Sequence, residues 1–187
     1  HATLTSVPRL FQVWACKQVM GIAGTFAFRA KYEKDIQPEC PSCTRENETC
    51  GHILSCREQG RVQALRAAID LLEEWLEEED TEPLLREGLV EFARGRGEFS
   101  MEDFFAGCPQ QYRKAGRAQD RIGWRRFMEG MVCTRMQDIQ RLYHLQEGTR
   151  CTPERWARGL IQKLLEATHG QWIYQNVQIH DLVAGTQ

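Results

Sequence analysis

Between positions 40 and 56 the chain reads Cys40-Pro41-Ser42-Cys43, then eight residues, then His52-Ile53-Leu54-Ser55-Cys56. A CxxC turn brings two thiols to one side of a tight loop, and the excursion that follows is long enough to return the chain to them. His52 and Cys56 are four positions apart, which places both on one face of a helical turn. Three thiolates and an imidazole are the ligand set of a tetrahedral zinc ion, and four protein ligands leave no open position at which water could be activated. The sequence therefore predicts one structural Zn2+ held by Cys40, Cys43, His52 and Cys56. Cys50 is the competing ligand; two residues before His52, its side chain would point away if a helix had already begun there. A redox CxxC of the thioredoxin kind needs a strand before it and a helix after it, and that context is absent.

The rest of the composition sets bounds around this cluster. Of eight cysteines in 187 residues, four lie in the cluster region together with His52, and Cys16, Cys108, Cys133 and Cys151 are scattered; the fourth of the clustered set is Cys50. Clustering favours a metal site over disulfides, and a reducing, intracellular compartment, nucleus or cytoplasm undecided. A formal net charge of -2 gives no global bias toward nucleic acid or membrane, so any such bias is local. Nothing approaches an 18-residue apolar run, which argues against a membrane span. His1-Ala2-Thr3 does not open a signal peptide. The chain begins without Met, as a processed product or a piece of a longer polypeptide would, which leaves an upstream targeting segment open.

Apolar periodicity predicts a mostly α fold, a helical bundle with a small CCHC module near the N-terminus. Residues 1–58 would form the N-terminal helices and zinc module, and 59–187 the bundle packed on it, as one structural unit. Pro8 opens a first helix ended by Gly21 and Gly24, and Thr25 caps a short second one. Residues 35–51 are loop-like. Val62, Leu65, Ile69, Leu72 and Leu76 advance by threes and fours along a long helix expected from about His52 to Glu79, with both late metal ligands on its first turn. The acidic end of that helix, Glu73 to Asp80, opposes the helix dipole and calls for basic partners or frays. Further helices are expected from Thr81-Glu82-Pro83, from the Ser100/Asp103 capping box, from about Gln110 to Gln146, and from Thr152-Pro153-Glu154 onward.

The stretch Pro8 to Cys56 resembles the reverse-transcriptase zinc-binding domain of non-LTR retroelements. It carries Pro8 and Trp14 in a leading helix, then Thr25 and Arg29, the run Cys40 to Cys43, Glu48-Thr49, and His52 to Cys56. Trp172 and Asn176 are similar to a Trp-x-x-x-Asn element that follows such modules at a distance, although Gln175 stands where the family has Arg. The resemblance covers roughly 50 residues well and implies a module that follows a polymerase and helps to hold RNA or DNA. Neither the carboxylates and basic groups of a restriction-like nuclease, nor a Tyr-x-Asp-Asp polymerase signature, nor RNase H carboxylates occur in the sequence, and two-metal chemistry needs converging carboxylates. A non-enzyme with no small-molecule substrate is expected.

One local charge feature fits nucleic acid. Arg113, Arg117, Arg121 and Arg125 recur every four residues, with Lys114 and Arg126 beside them and Trp124 and Phe127 near. On a helix this is a basic ridge able to bind phosphates. The bland reading is a solvated face, or a partner for the acidic helix end within the same fold. Gly116 and Gly123 weaken the case for one unbroken helix. His169, Asn176, His180 and Asp181 form a looser polar group, read as orienting the last helix. The sequence thus points to a non-catalytic nucleic-acid-binding module, with a structural or protein-interaction subunit as the alternative.

Overall fold

The computed structural model describes residues 7–149 and 151–184, the last six as backbone only. The protein is mostly α. The described residues form α1 (Arg9–Met20), α2 (Phe26–Arg29), α3 (Cys50–Ser55), α4 (Gln59–Glu78), α5 (Pro83–Arg94), α6 (Met101–Phe104), α7 (Gln110–Ile122), α8 (Trp124–Met128), α9 (Thr134–Glu147) and α10 (Pro153–Ala184). The nearest approach to a strand among them is a single antiparallel bridge between Glu39 and Asn47. The chain divides into two compact units, one made of residues up to Ala67 with those from Ala167 onward, the other of Ala68–Glu166.

In the first unit the helix ends follow local chemistry. Gly21 closes α1 in the left-handed region at φ 73°, and N–H groups of Gly21 and Ile22 return to the carbonyls of Gln18 and Lys17. Thr25 and Thr49 cap α2 and α3 by accepting from the N–H groups of Phe28 and His52. The expected helix from His52 to Glu79 is two helices. Cys56 leaves α3 with ψ 127°, and Glu58 then starts α4 by accepting from the N–H groups of Gly60 and Arg61 at 2.9 and 3.0 Å. A second N-terminus with its own carboxylate cap is what separates them. The C-terminal part of α10 belongs to this unit, where His169 lies between Trp14 and Trp172, its centroid 4.5 and 5.7 Å from theirs.

In the second unit Ile69, Leu72 and Leu76 of α4 are buried, as are Leu85, Leu89 and Phe92 of α5 and Trp156, Leu160 and Leu164 of α10. The buried indoles find acceptors: Trp124 Nε1 donates to Ala93 O and Trp156 Nε1 to Thr81 Oγ1, both at 2.9 Å. The helix expected from Gln110 to Gln146 is three. Gly123, at φ 85° and ψ 157°, holds a conformation closed to side-chain-bearing residues, and Gly130 at φ 85° precedes a further turn. Gly116 does not interrupt α7; it lets the helix approach the Met101 backbone, where a Cβ would lie 2.7 Å from Met101 O. The acidic end of α4 meets arginines of α5 and α10. Arg94 pairs with Asp70 and Glu73 at 3.1 and 2.6 Å, Arg86 with Glu77 at 3.2 Å, and Arg155 with Glu79 at 3.7 Å.

Candidate metal centre

The loop before α3 is folded back on itself by backbone hydrogen bonds. Cys40 N donates to Glu46 O and Thr44 N to Cys40 O, both at 2.8 Å, and Glu48 N donates to Pro38 O at 2.8 Å. Thr44 takes φ 54° to complete the turn. This knuckle presents Cys40 and Cys43, while α3 presents His52 and, just past its end, Cys56, whose N–H bonds to His52 O at 2.7 Å. The two late ligands thus sit on α3 and its end, not on the first turn of α4.

The structure brings all four predicted ligands together, with their ligand atoms within 4.8 Å of one another. Cys40 Sγ is 4.0 Å from Cys56 Sγ, and Cys43 Sγ is 3.3 Å from His52 Nε2. Metal–sulfur bonds near 2.3 Å and a metal–nitrogen bond near 2.0 Å, arranged tetrahedrally, would place sulfurs about 3.8 Å apart and sulfur and nitrogen about 3.5 Å apart. The group can hold a metal ion. Cys40, His52 and Cys56 are buried and Cys43 is half-buried. Cys50 is buried but outside the four; the helix has begun there, and its carbonyl accepts from Gln18 Nε2 at 3.0 Å.

The protonation chemistry suits ligation. Burial holds the His52 imidazole below its ordinary pKa, against the opposing pull of Glu46, so the ring is neutral near pH 7. Its Nδ1 faces Glu46 Oε2 at 3.3 Å, which leaves Nε2 turned to the thiols. Burial works to raise the Cys43 thiol, but N–H groups of Arg45 and Glu46 donate to its sulfur and the net direction is down. Burial pushes Cys56 up to about 12, so a metal arriving there displaces a proton.

A buried polar group adjoins the knuckle, and the sequence had no signal for it. Arg61 of α4 is fully buried; its Nε donates to Ser42 Oγ at 2.9 Å and its Nη2 to Glu48 Oε2 at 3.4 Å. Glu48, also fully buried, accepts from Phe26 N at 3.0 Å and from Gln175 Nε2. Gln175 therefore meets the loop carboxylate. An isolated Arg on a helix carries no periodicity or motif that would single it out.

The basic ridge is divided between two helices. Arg113, Lys114, Arg117 and Arg121 lie on α7, and Arg125 and Arg126 lie beyond Gly123 on α8. All six are exposed. Arg117 pairs with Glu102, and Arg125 and Arg126 pair at 3.1 and 2.8 Å with Glu129, whose side chain is fully buried. Asp120 faces away from the ridge and accepts from Met101 N and Glu102 N at 2.9 and 2.8 Å. Trp124 and Phe127 are buried, so neither offers a face for stacking a base. The side chains of His180 and Asp181 lie outside the described residues.

Compared with family models, curated proteins and solved structures, the chain shows no match. Among the described residues no helix is long and apolar enough to cross a membrane.

Proposed function

We propose that the chain is a non-catalytic nucleic-acid-binding module in which a single structural Zn2+ fixes the knuckle to α3. Three sulfurs and one imidazole nitrogen whose ligand atoms lie within 4.8 Å of one another favour zinc over the oxygen-preferring cations, and a fully ligated ion has no site for substrate. The resemblance of the Pro8–Cys56 stretch to the reverse-transcriptase zinc-binding domain supports a retroelement origin. The observation that carries the nucleic-acid reading is on α7: Arg113, Lys114 and Arg121 are exposed and make no ion pair among the described residues. Exposed cations that make no direct ion pair are what phosphate contact requires, although Arg113 and Arg121 also lie in the field of Glu102, whereas an arginine already held by a carboxylate gives up that partner to bind.

Fluorescence anisotropy with single-stranded RNA and duplex DNA, between 50 and 200 mM salt, tests this reading. Binding is expected to weaken with salt, with a log–log slope of roughly 0.7 to 0.9 per phosphate contacted. Replacing Arg113, Lys114 and Arg121 together by Ala should flatten that slope more than replacing Arg117, Arg125 and Arg126. Binding indifferent both to salt and to the first triple variant counts against it.

The second reading is a structural or protein-interaction subunit. Its support is that Arg117, Arg125 and Arg126 are engaged within the second unit by Glu102 and Glu129. A stable protein partner recovered by co-purification, with no nucleic acid bound, favours it.

A further inference from the structure

A zinc ion with three thiolates and a neutral imidazole carries a single net negative charge. Burying such an anion is costly unless a cation or several donors face it. Cys40 and Cys56 are essentially without solvent contact, so water does little of this work. The residues near the knuckle include one buried cation, Arg61, whose side chain has no exposed surface.

Arg61 is placed against the metal turn by its own hydrogen bonds. Its Nε donates to the hydroxyl of Ser42, the residue between the two cysteines of the CxxC turn that directly precedes Cys43. Tyr174 covers it, with the guanidinium carbon 5.9 Å from the ring centroid.

The bland account makes Arg61 the counter-ion of Glu48. Its donors argue otherwise. Only Nη2 reaches the carboxylate, at a long 3.4 Å, and Glu48 is held as well by Phe26 N and Gln175 Nε2. Nη1 is buried with no hydrogen-bond partner among the described residues. Native interiors rarely leave a charged donor unmatched; no cysteine sulfur lies within hydrogen-bond reach of Nη1, but the Ser42 contact sets the guanidinium charge one residue from Cys43.

We infer that Arg61 is the outer-shell cation of the metal centre: it neutralises the buried tris-thiolate zinc anion and thereby sets the affinity for the ion, acting as a positioning and charge-balancing residue. This inference rests on the zinc reading above.

The experiment is a zinc affinity measurement on the full chain by competition with a chromophoric chelator, for wild type and for Arg61→Gln, Arg61→Lys and Glu48→Gln. Arg61→Gln is expected to weaken zinc about 10- to 100-fold, the usual effect of losing an outer-shell partner. Arg61→Lys, which keeps the charge, should lie nearer to wild type. Glu48→Gln leaves the cation and removes its rival partner, so zinc affinity should hold or rise. Equal affinities in wild type and Arg61→Gln overturn the inference, as does Glu48→Gln weakening zinc as much as Arg61→Gln does. Should Arg61→Gln not fold, Glu48→Gln decides alone, and a ten-fold loss there is against the inference. Failure of both to fold overturns it too, because the pair then serves the fold independently of the metal. Wild type that takes up no zinc sinks the metal reading itself, a result distinct from all of these.

Discussion

The carboxylate of Glu46 lies 3.3 Å from Nδ1 of His52, while Nε2 of the same ring lies 3.3 Å from Cys43 Sγ. One imidazole nitrogen thus faces a carboxylate at ion-pair distance without completing a hydrogen bond, and the other faces the thiols that could share a metal ion with it. Glu46 is placed by the knuckle, because its carbonyl accepts from Cys40 N. A carboxylate in this position fixes the tautomer and raises the basicity of the ligand nitrogen. Glu46→Gln should weaken zinc by about ten-fold, the lower end of outer-shell effects, since its side chain is 73% exposed and water can replace part of the contact. A chelator-competition titration in which this variant matches wild type shows the contact to be incidental.

Metal removal should act on the first unit before the second. The knuckle and α3 are short, and helices of this length do not persist in water unaided. At zinc a thousand times its dissociation constant the ion contributes about 4 kcal/mol to stability. Chelation, or Cys43→Ser, is expected to lower the melting temperature and to raise amide exchange across residues 38–56, with slower change in α5 and α7. Unchanged melting after verified zinc loss contradicts this.

Gly116→Ala should destabilise the protein although alanine favours a helix by up to about 1 kcal/mol over glycine. The added methyl would meet Met101 O, Met101 C and Glu102 N at 2.7 to 2.8 Å, all backbone atoms that cannot rotate aside. A net loss of about 1–3 kcal/mol is expected in denaturant melts. A neutral or stabilising result would mean that α6 shifts away at little cost.

His169 supplies a pH dependence. Burial holds its pKa below the ordinary 6.5, so the folded protein binds its proton less readily than the unfolded chain. Stability from the neutral ring is fully present above about pH 6.5 and is lost as pH falls from there toward the folded value. Between pH 8 and pH 6, with zinc in excess, wild type should lose more melting temperature than His169→Phe, which keeps a ring between Trp14 and Trp172. Parallel pH profiles for the two proteins would assign the dependence elsewhere.

Much of the candidate site was readable from spacing alone. Cys40, Cys43, His52 and Cys56 are short-range in sequence, and ligand chemistry restricts the types and separations that can close on one ion. Helix existence was equally readable, because the stripe of Ile69, Leu72 and Leu76 is a local period. Helix continuity was not. The break after Cys56 depends on Glu58 capping a new helix, and the break at Gly123 on a backbone conformation that a glycine permits but does not require. Apolar periodicity runs across both places because short successive helices each keep their own apolar face.

The sequence by itself determined the mostly α class, the four residues that gather as a candidate metal group and the exposed character of the ridge cations, each a matter of residue type and near spacing. Only the tertiary structure decided which charges remain uncommitted. Arg117 finds Glu102 fifteen positions away, Arg125 and Arg126 share Glu129, and Gln175 meets Glu48 across 127 positions. It also set the buried Arg61 beside the knuckle. Pairings of this range cost chain entropy and are selected by the packing of whole helices, so no local pattern announces them.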